Sequence, residues 1–270
     1  MRPSKTAAAI ALAPAQDSRY KVQVLDRTFA ILEALSNKKG QSGVAALAQE
    51  LGLHKSTVHR LLVVLERNRF VERSESGRYR LGWRLFELGM SAVSNLDLYE
   101  RAKPFVSRLM HETGETAHLG VLRLGSIVSL VSQESDRSMR TPATVGRRSP
   151  LHCTSLGKAI LAFLPPDKME AAVAAQEFSQ HTSKTIVSHD RLRSELALVR
   201  KRGYAIDNEE FEEGLRCVGA PVFGHSGEVA AAVSIAGPAY RVGGANLEKL
   251  ARLVMSTANE LSQSLGFRRQ

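Results

Sequence analysis

Residues 43–81 constrain the fold more than any other stretch of the chain. Apolar residues recur there at helical spacing in two short runs, Val44, Leu47, Ala48 and Leu51, then Val58, Leu61, Leu62 and Leu65, with Gly52 between them. Two short helices around a glycine, each with one apolar face, can share a single core. The opposite side of the second helix carries Ser56, Arg60 and Arg67, with Lys55, Thr57 and His59 near its start. Two β-prone runs follow, Phe70 to Arg73 and Arg78 to Leu81, joined by Ser74-Glu75-Ser76-Gly77. The pattern predicts a winged helix-turn-helix over residues 20–81. Its first helix would span Val24 to Leu35 and bury Leu25, Phe29, Leu32 and Leu35, with Asn37 to Gly40 ending it.

A B-form major groove admits one α-helix, and side chains in the first turns of that helix reach base edges, Arg to guanine most specifically. Arg60 is the first candidate for base reading. Lys55, Ser56, Thr57 and His59 surround the helix start, where free backbone N–H groups and hydroxyls fix register on phosphate. Arg73, Arg78 and Arg80 on the hairpin face the sugar-phosphate backbone in the same scheme. The plainer alternative is a helical hairpin with a solvated basic face. Charge distribution argues against it: residues 1–80 hold 14 Lys or Arg against 7 Asp or Glu, and the rest of the chain 23 against 20. The excess of positive charge is therefore concentrated where phosphate would lie, in a chain of net charge +10.

At 270 residues and 43% apolar content the chain suits about two globular domains, and no run approaches a membrane span. The alanine-rich start superficially imitates a secretory signal, but it lacks a strongly apolar centre, and residues 1–19 read as a disordered tail. Cys153 and Cys217 show neither finger spacing nor a disulfide framework, which fits a reduced, cytoplasmic setting. Gly82 to Leu98, with Leu85, Phe86, Leu88 and Met90, forms a linker helix for dimerisation. A second domain over 99–267 then mixes strands and helices without βαβ alternation. Ala117 to Leu124 pairs with Ile127 to Ser132, and Cys217 to Phe223 with Val229 to Ala236. Gly157 to Leu164 is a helix halted by Pro165-Pro166. Asp190 to Arg202 is a helix closed by Gly203, and Asn246 to Leu265 ends the chain as a helix. The class is α+β, with helices packed on an antiparallel sheet.

Seven motifs in order carry a family resemblance: Leu53-His-Lys-Ser-Thr-Val-His-Arg-Leu-Leu62, Gly77-Arg-Tyr-Arg-Leu-Gly82, Thr113-Gly-Glu-Thr116, Leu151-His152 with Gly157-Lys-Ala159, Arg202-Gly-Tyr-Ala205, Gly214-Leu-Arg-Cys217 and Ser234-Ile-Ala-Gly-Pro238. Over residues 20–267 the chain resembles the IclR family of bacterial transcriptional regulators. The resemblance implies a winged-helix reader of double-stranded DNA at a palindromic operator, a homodimer or tetramer, and a GAF-like C-terminal domain. That domain would bind a small organic or aromatic acid and so control a catabolic operon, as repressor or activator. It also implies an effector site in which Ser155 and Leu156 offer backbone N–H groups at a helix start, while Asp207, Leu215, Cys217, Ser234 and Ala236 line the cavity. His54 stands for a proline common in the family before the recognition helix, and, against a family member responsive to glyoxylate and pyruvate, Ser155 stands for a glycine and Ala236 for a serine, so the resemblance does not imply the same small acid.

Plainer readings stand beside these. Cys217 is equally a small core hydrophobe, Asp207 a strand end, and Arg147 with Arg148 either a solvated loop pair or a hold on an anionic effector. An enzyme would use Cys217 or Cys153 as nucleophile with His152, His118 or His225 as base. Neighbours on an extended segment face opposite ways, however, and no Gly-rich phosphate loop or nucleophile elbow is present. No cofactor is called for; a metal site using His152, Cys153, Cys217 or His118 stays open, although no two of these stand at a helical i, i+4 spacing or in a Cys-x-x-Cys pair. A ligand sensor whose winged helix binds only protein is the remaining alternative.

Overall fold

A computed structural model describes residues 22–37, 41–94 and 97–268, which divide into two compact units at Leu96/Asp97. The tail expected over 1–19 and the helix end at 38–40 lie outside the described residues, as does the side chain of Met90.

In the first unit α1 (Gln23–Asn37), α2 (Val44–Leu51) and α3 (Lys55–Arg67) precede a two-stranded antiparallel wing, β1 (Val71–Arg73) and β2 (Tyr79–Leu81), and then α4 (Trp83–Ser94). Gly52 ends α2 at φ 62°, a left-handed conformation that glycine enters without strain, and so turns the chain toward α3. The core joins Leu47 and Ala48 of α2, Val58, Leu62 and Leu65 of α3, and Val71 and Tyr79 of the wing. From α1 it takes Ile31, Ala34 and Leu35. Leu25 and Phe29, expected inside, are 49% and 57% exposed. Apolar residues cover more than one stripe of α1, and periodicity alone does not say which stripe α2 and α3 will meet. Residues 95–96, inside the linker helix expected over 82–98, lie outside the described residues. α4 is described up to Ser94, and α5 (Asp97–Thr113) opens the second unit.

The second unit is built on a six-stranded, wholly antiparallel sheet. Its strands are β3 (Thr116–Arg123), β4 (Ser126–Gln133), β5 (Arg148–Ser149), β6 (Ala205–Asn208), β7 (Leu215–Phe223) and β8 (Val229–Pro238), in the order β5-β4-β3-β8-β7-β6. Along β7 and β8 successive residues take opposite faces. Val218, Ala220, Val222, Val233 and Ile235 are buried on one parity, and α5 and α9 (Leu247–Ser264) pack on these strands. The other parity carries Cys217, Gly219, Ser234 and Ala236. α6 (Ser155–Phe163) packs on β7 and β8, with α8 (His189–Arg202) against it. Pro165-Pro166 does more than halt α6: Pro166 opens a further helix, α7 (Pro166–Ala174), at the first-turn position where a missing N–H costs nothing. Gly219 is a packing requirement. A Cβ there would lie 2.9 Å from the carbonyl oxygen of Ser155, so only glycine lets α6 begin this close to the sheet.

Candidate DNA-reading face and effector cavity

The two groups of predicted site residues lie in separate units. On α3, Lys55, Ser56, His59 and Arg60 are exposed and Thr57 is half-buried. His54 precedes the helix at φ −65°, the angle a proline ring would fix, so the substitution leaves the helix start unchanged. No side chain caps α3, which leaves its first N–H groups open toward any ligand. Among the described residues Lys55, Arg60 and Arg78 have no ion-pair partner. The other wing arginines are engaged. Arg80 pairs with Glu72 at 2.8 Å across the hairpin, and Arg73 lies over the Tyr79 ring at 5.8 Å. Hydrogen bonds from Arg80, and then from the Trp83 backbone, hold the Glu72 carboxyl below its ordinary range.

In the second unit all seven predicted effector positions, Ser155, Leu156, Asp207, Leu215, Cys217, Ser234 and Ala236, line one cavity of about 100 Å³ between the start of α6 and the sheet. Strand register assembles most of it. Asp207 pairs with Cys217 and Cys217 with Ala236, a row across β6, β7 and β8, while His118 of β3 stands opposite Ser234. Thr154 caps α6 by accepting from the Gly157 N–H at 3.1 Å, so the Ser155 and Leu156 N–H groups, without partners among the described residues, remain for the cavity. Arg147 lines the cavity and lies 5.6 Å over the Phe211 ring. Arg148 does not: its guanidinium bonds Ser126 and the carbonyls of Arg123 and Leu124. Phe211 and Thr141 are lining residues with no periodic or motif signal, because both sit in loops.

Burial sets the protonation states here. It raises the Asp207 carboxyl to about 7, against the opposing hydrogen bond from the Glu210 N–H, and with Asp207 as neighbour it pushes the Cys217 thiol far up. Burial, and then the charge of Arg147, lowers His118 to about 4, its Nδ1 bonded to Ser132 Oγ at 2.9 Å. Near neutral pH the lining thus includes a neutral imidazole, a neutral thiol, an aspartic acid in mid-titration and the Arg147 guanidinium, with the carboxylate of exposed Glu212 at its edge. Behind it Lys158, fully buried, pairs with Glu210 at 2.5 Å and Glu195 at 3.5 Å. His152 and Cys153, read as an extended pair, instead occupy the turn before α6, where neighbouring side chains can converge.

The IclR helix-turn-helix domain model matches residues 24–75, and the model of the bacterial transcriptional regulator IclR C-terminal domain matches residues 90–263. The chain belongs to the IclR family of bacterial transcriptional regulators. The HTH-type transcriptional regulator KdgR of Dickeya chrysanthemi is 36% identical, over 98% of this chain and 87% of its own length. The crystal structure of Thermotoga maritima IclR superposes with TM-score 0.77 at 32% identity, covering 92% of this chain and all of the other. An IclR homologue of Microbacterium hydrocarbonoxydans, complexed with 4-hydroxybenzoate, shares the fold at TM-score 0.79 and 24% identity over 90% and 98% of the two chains. IclR membership makes this an effector-binding, DNA-binding regulator of transcription, and its relatives are regulators rather than enzymes. Among the described residues no helix is long and apolar enough to cross a membrane.

Proposed function

We propose that this IclR-family regulator acts in the cytoplasm as a homodimer or a tetramer on a palindromic operator, sensing a small carboxylic or phenolic acid and catalysing nothing. Arg60 reads a base edge, Lys55, Ser56, Thr57 and His59 fix α3 on phosphate, and Arg78 leads the wing contacts, with Arg73 and Arg80 beside it. Self-association is supported by large apolar side chains that the first unit leaves exposed: Leu25 and Phe29 on α1, and Trp83, Phe86 and Leu88 on α4.

The cavity carries the effector reading. Its open N–H groups at a helix start favour a carboxylate, Ser234 can donate a hydrogen bond to it, and Arg147 adds the one fixed positive charge. Asp207 would repel an anion if ionised; near neutral pH it is protonated part of the time and then donates instead. That an IclR homologue of the same fold is complexed with 4-hydroxybenzoate supports an aromatic acid as one candidate class. A bound effector moves the DNA-binding equilibrium only by its differential affinity for the two arrangements of the reader.

A melting-temperature screen against small carboxylic and aromatic acids tests this, since a ligand at a hundred times its dissociation constant adds about 2.7 kcal/mol. Ser234→Leu should fill the cavity, abolish the shift and leave operator binding intact. Normal ligand affinity in that variant would move the effector site elsewhere.

A further inference from the structure

Behind the cavity wall, His152, Cys153 and His181 bring one ligand-capable atom each to within 4.8 Å of one another. His152 is fully buried, and its Nε2 faces the carbonyl oxygen of Ser179 at 3.2 Å. A ring nitrogen in that position donates its proton, so Nδ1 carries the lone pair. That Nδ1 is buried and has no hydrogen-bond partner among the described residues. Metal-ligating histidines have this same arrangement, one N–H given to a backbone carbonyl and the other nitrogen given to the ion. Cys153 adds a buried sulfur. His181 approaches from the exposed side, its ring 6.3 Å from that of His152 and 4.9 Å from Phe211.

We propose that His152 Nδ1, Cys153 Sγ and a ring nitrogen of His181 bind a zinc-class divalent cation, leaving a fourth position for water or an anion. Two imidazoles and one sulfur are the donors that a borderline-soft, tetrahedral ion takes, whereas magnesium and calcium require oxygen ligands. Binding breaks the Cys153 S–H bond and forms a sulfur–metal bond, and the proton leaves to solvent. Metal bonds of about 2.0–2.3 Å require the three atoms to draw together, and exposed His181 is the member free to move. Sequence spacing hid the site because His152 and Cys153 are neighbours in a turn and the third ligand comes from another loop. The ion would tie that loop to the residues just before Thr154, the cap of α6, and to Phe211, which lines the cavity.

The test uses the full, tag-free chain after chelation, without effector or DNA, so its outcome is independent of the effector reading. Zinc titrated by calorimetry should bind once per chain and raise the melting temperature. Cobalt should give the visible bands of a tetrahedral ion together with a thiolate-to-metal charge-transfer band. His181→Gln, a surface change that leaves the fold intact, should weaken zinc by about 100-fold or more, at or beyond the about 10–100-fold cost of outer-shell changes. Cys153→Ser should remove the charge-transfer band. Absence of stoichiometric zinc, an octahedral cobalt spectrum without that band, or equal zinc affinity in His181→Gln and the unsubstituted chain would each overturn the proposal.

Discussion

Two ion pairs, one in each unit, carry opposite lessons. Arg80 and Glu72 on the wing are 59% and 43% exposed, while Lys158 and Glu210 beside the cavity are 0% and 9% exposed. Water solvates the first pair whether or not it forms; the second relies on its own contact, on Glu195 and on the Asn208 N–H that Glu210 accepts. The DNA-reading unit thus keeps its charges outside, several without partners, where phosphate can replace water. The effector unit places charge inside and neutralises it, leaving Arg147 as the exposed cation at the cavity.

The sharpest way to break this contrast is Lys158→Met. It leaves Glu210 buried without its partner and should cost about 3–5 kcal/mol in chemical denaturation; a near-neutral result would mean that water reaches the site. Arg60→Ala comes next, weakening operator binding by about 1–3 kcal/mol and relaxing sequence choice. Arg78→Ala should instead weaken all duplexes alike and lower the salt slope by about one unit. Equal losses on operator and random DNA for Arg60→Ala would remove it from base reading.

The cavity also makes a pH signature of its own between the ordinary carboxylate range and neutrality. Asp207 is raised to about 7, so between the ordinary carboxylate value and 7 the folded state holds more protons, and its contribution to stability is lost as pH rises through that window. His118, lowered to about 4, acts the other way: from its ordinary value of 6.5 down to about 4 the unfolded state binds more protons, and stability falls with falling pH. Denaturation midpoints across pH 4–7 should therefore decline more steeply with rising pH in His118→Gln and less steeply in Asp207→Asn. Identical profiles would show that these groups are solvated. The smallest effect is expected at Glu72→Gln. It should leave the melting temperature unmoved, yet steepen the salt dependence of DNA binding by about one unit as Arg80 is released to phosphate.

The reading helix and the wing were legible because their signals are local. Val58, Leu62 and Leu65 repeat within one helix, and the polar face opposite them follows from the same periodicity. The effector residues were named only through motif resemblance, since Ser155, Asp207, Cys217 and Ser234 are far apart in the chain. α7 went unseen because Pro166 reads as a stop when it serves as a start.

By itself, then, the sequence determined the helix-turn-helix, the antiparallel character of the second domain and the family to which they belong, all matters of spacing within a few residues. Only the tertiary structure decided which stripe of α1 is buried, that Arg80 is held by Glu72 while Arg78 is not, and that Arg147 rather than Arg148 lines the cavity. It also decided that His152, Cys153 and His181 meet. Each of those outcomes depends on strand register and on helices brought together from distant parts of the chain, and no local period encodes such contacts.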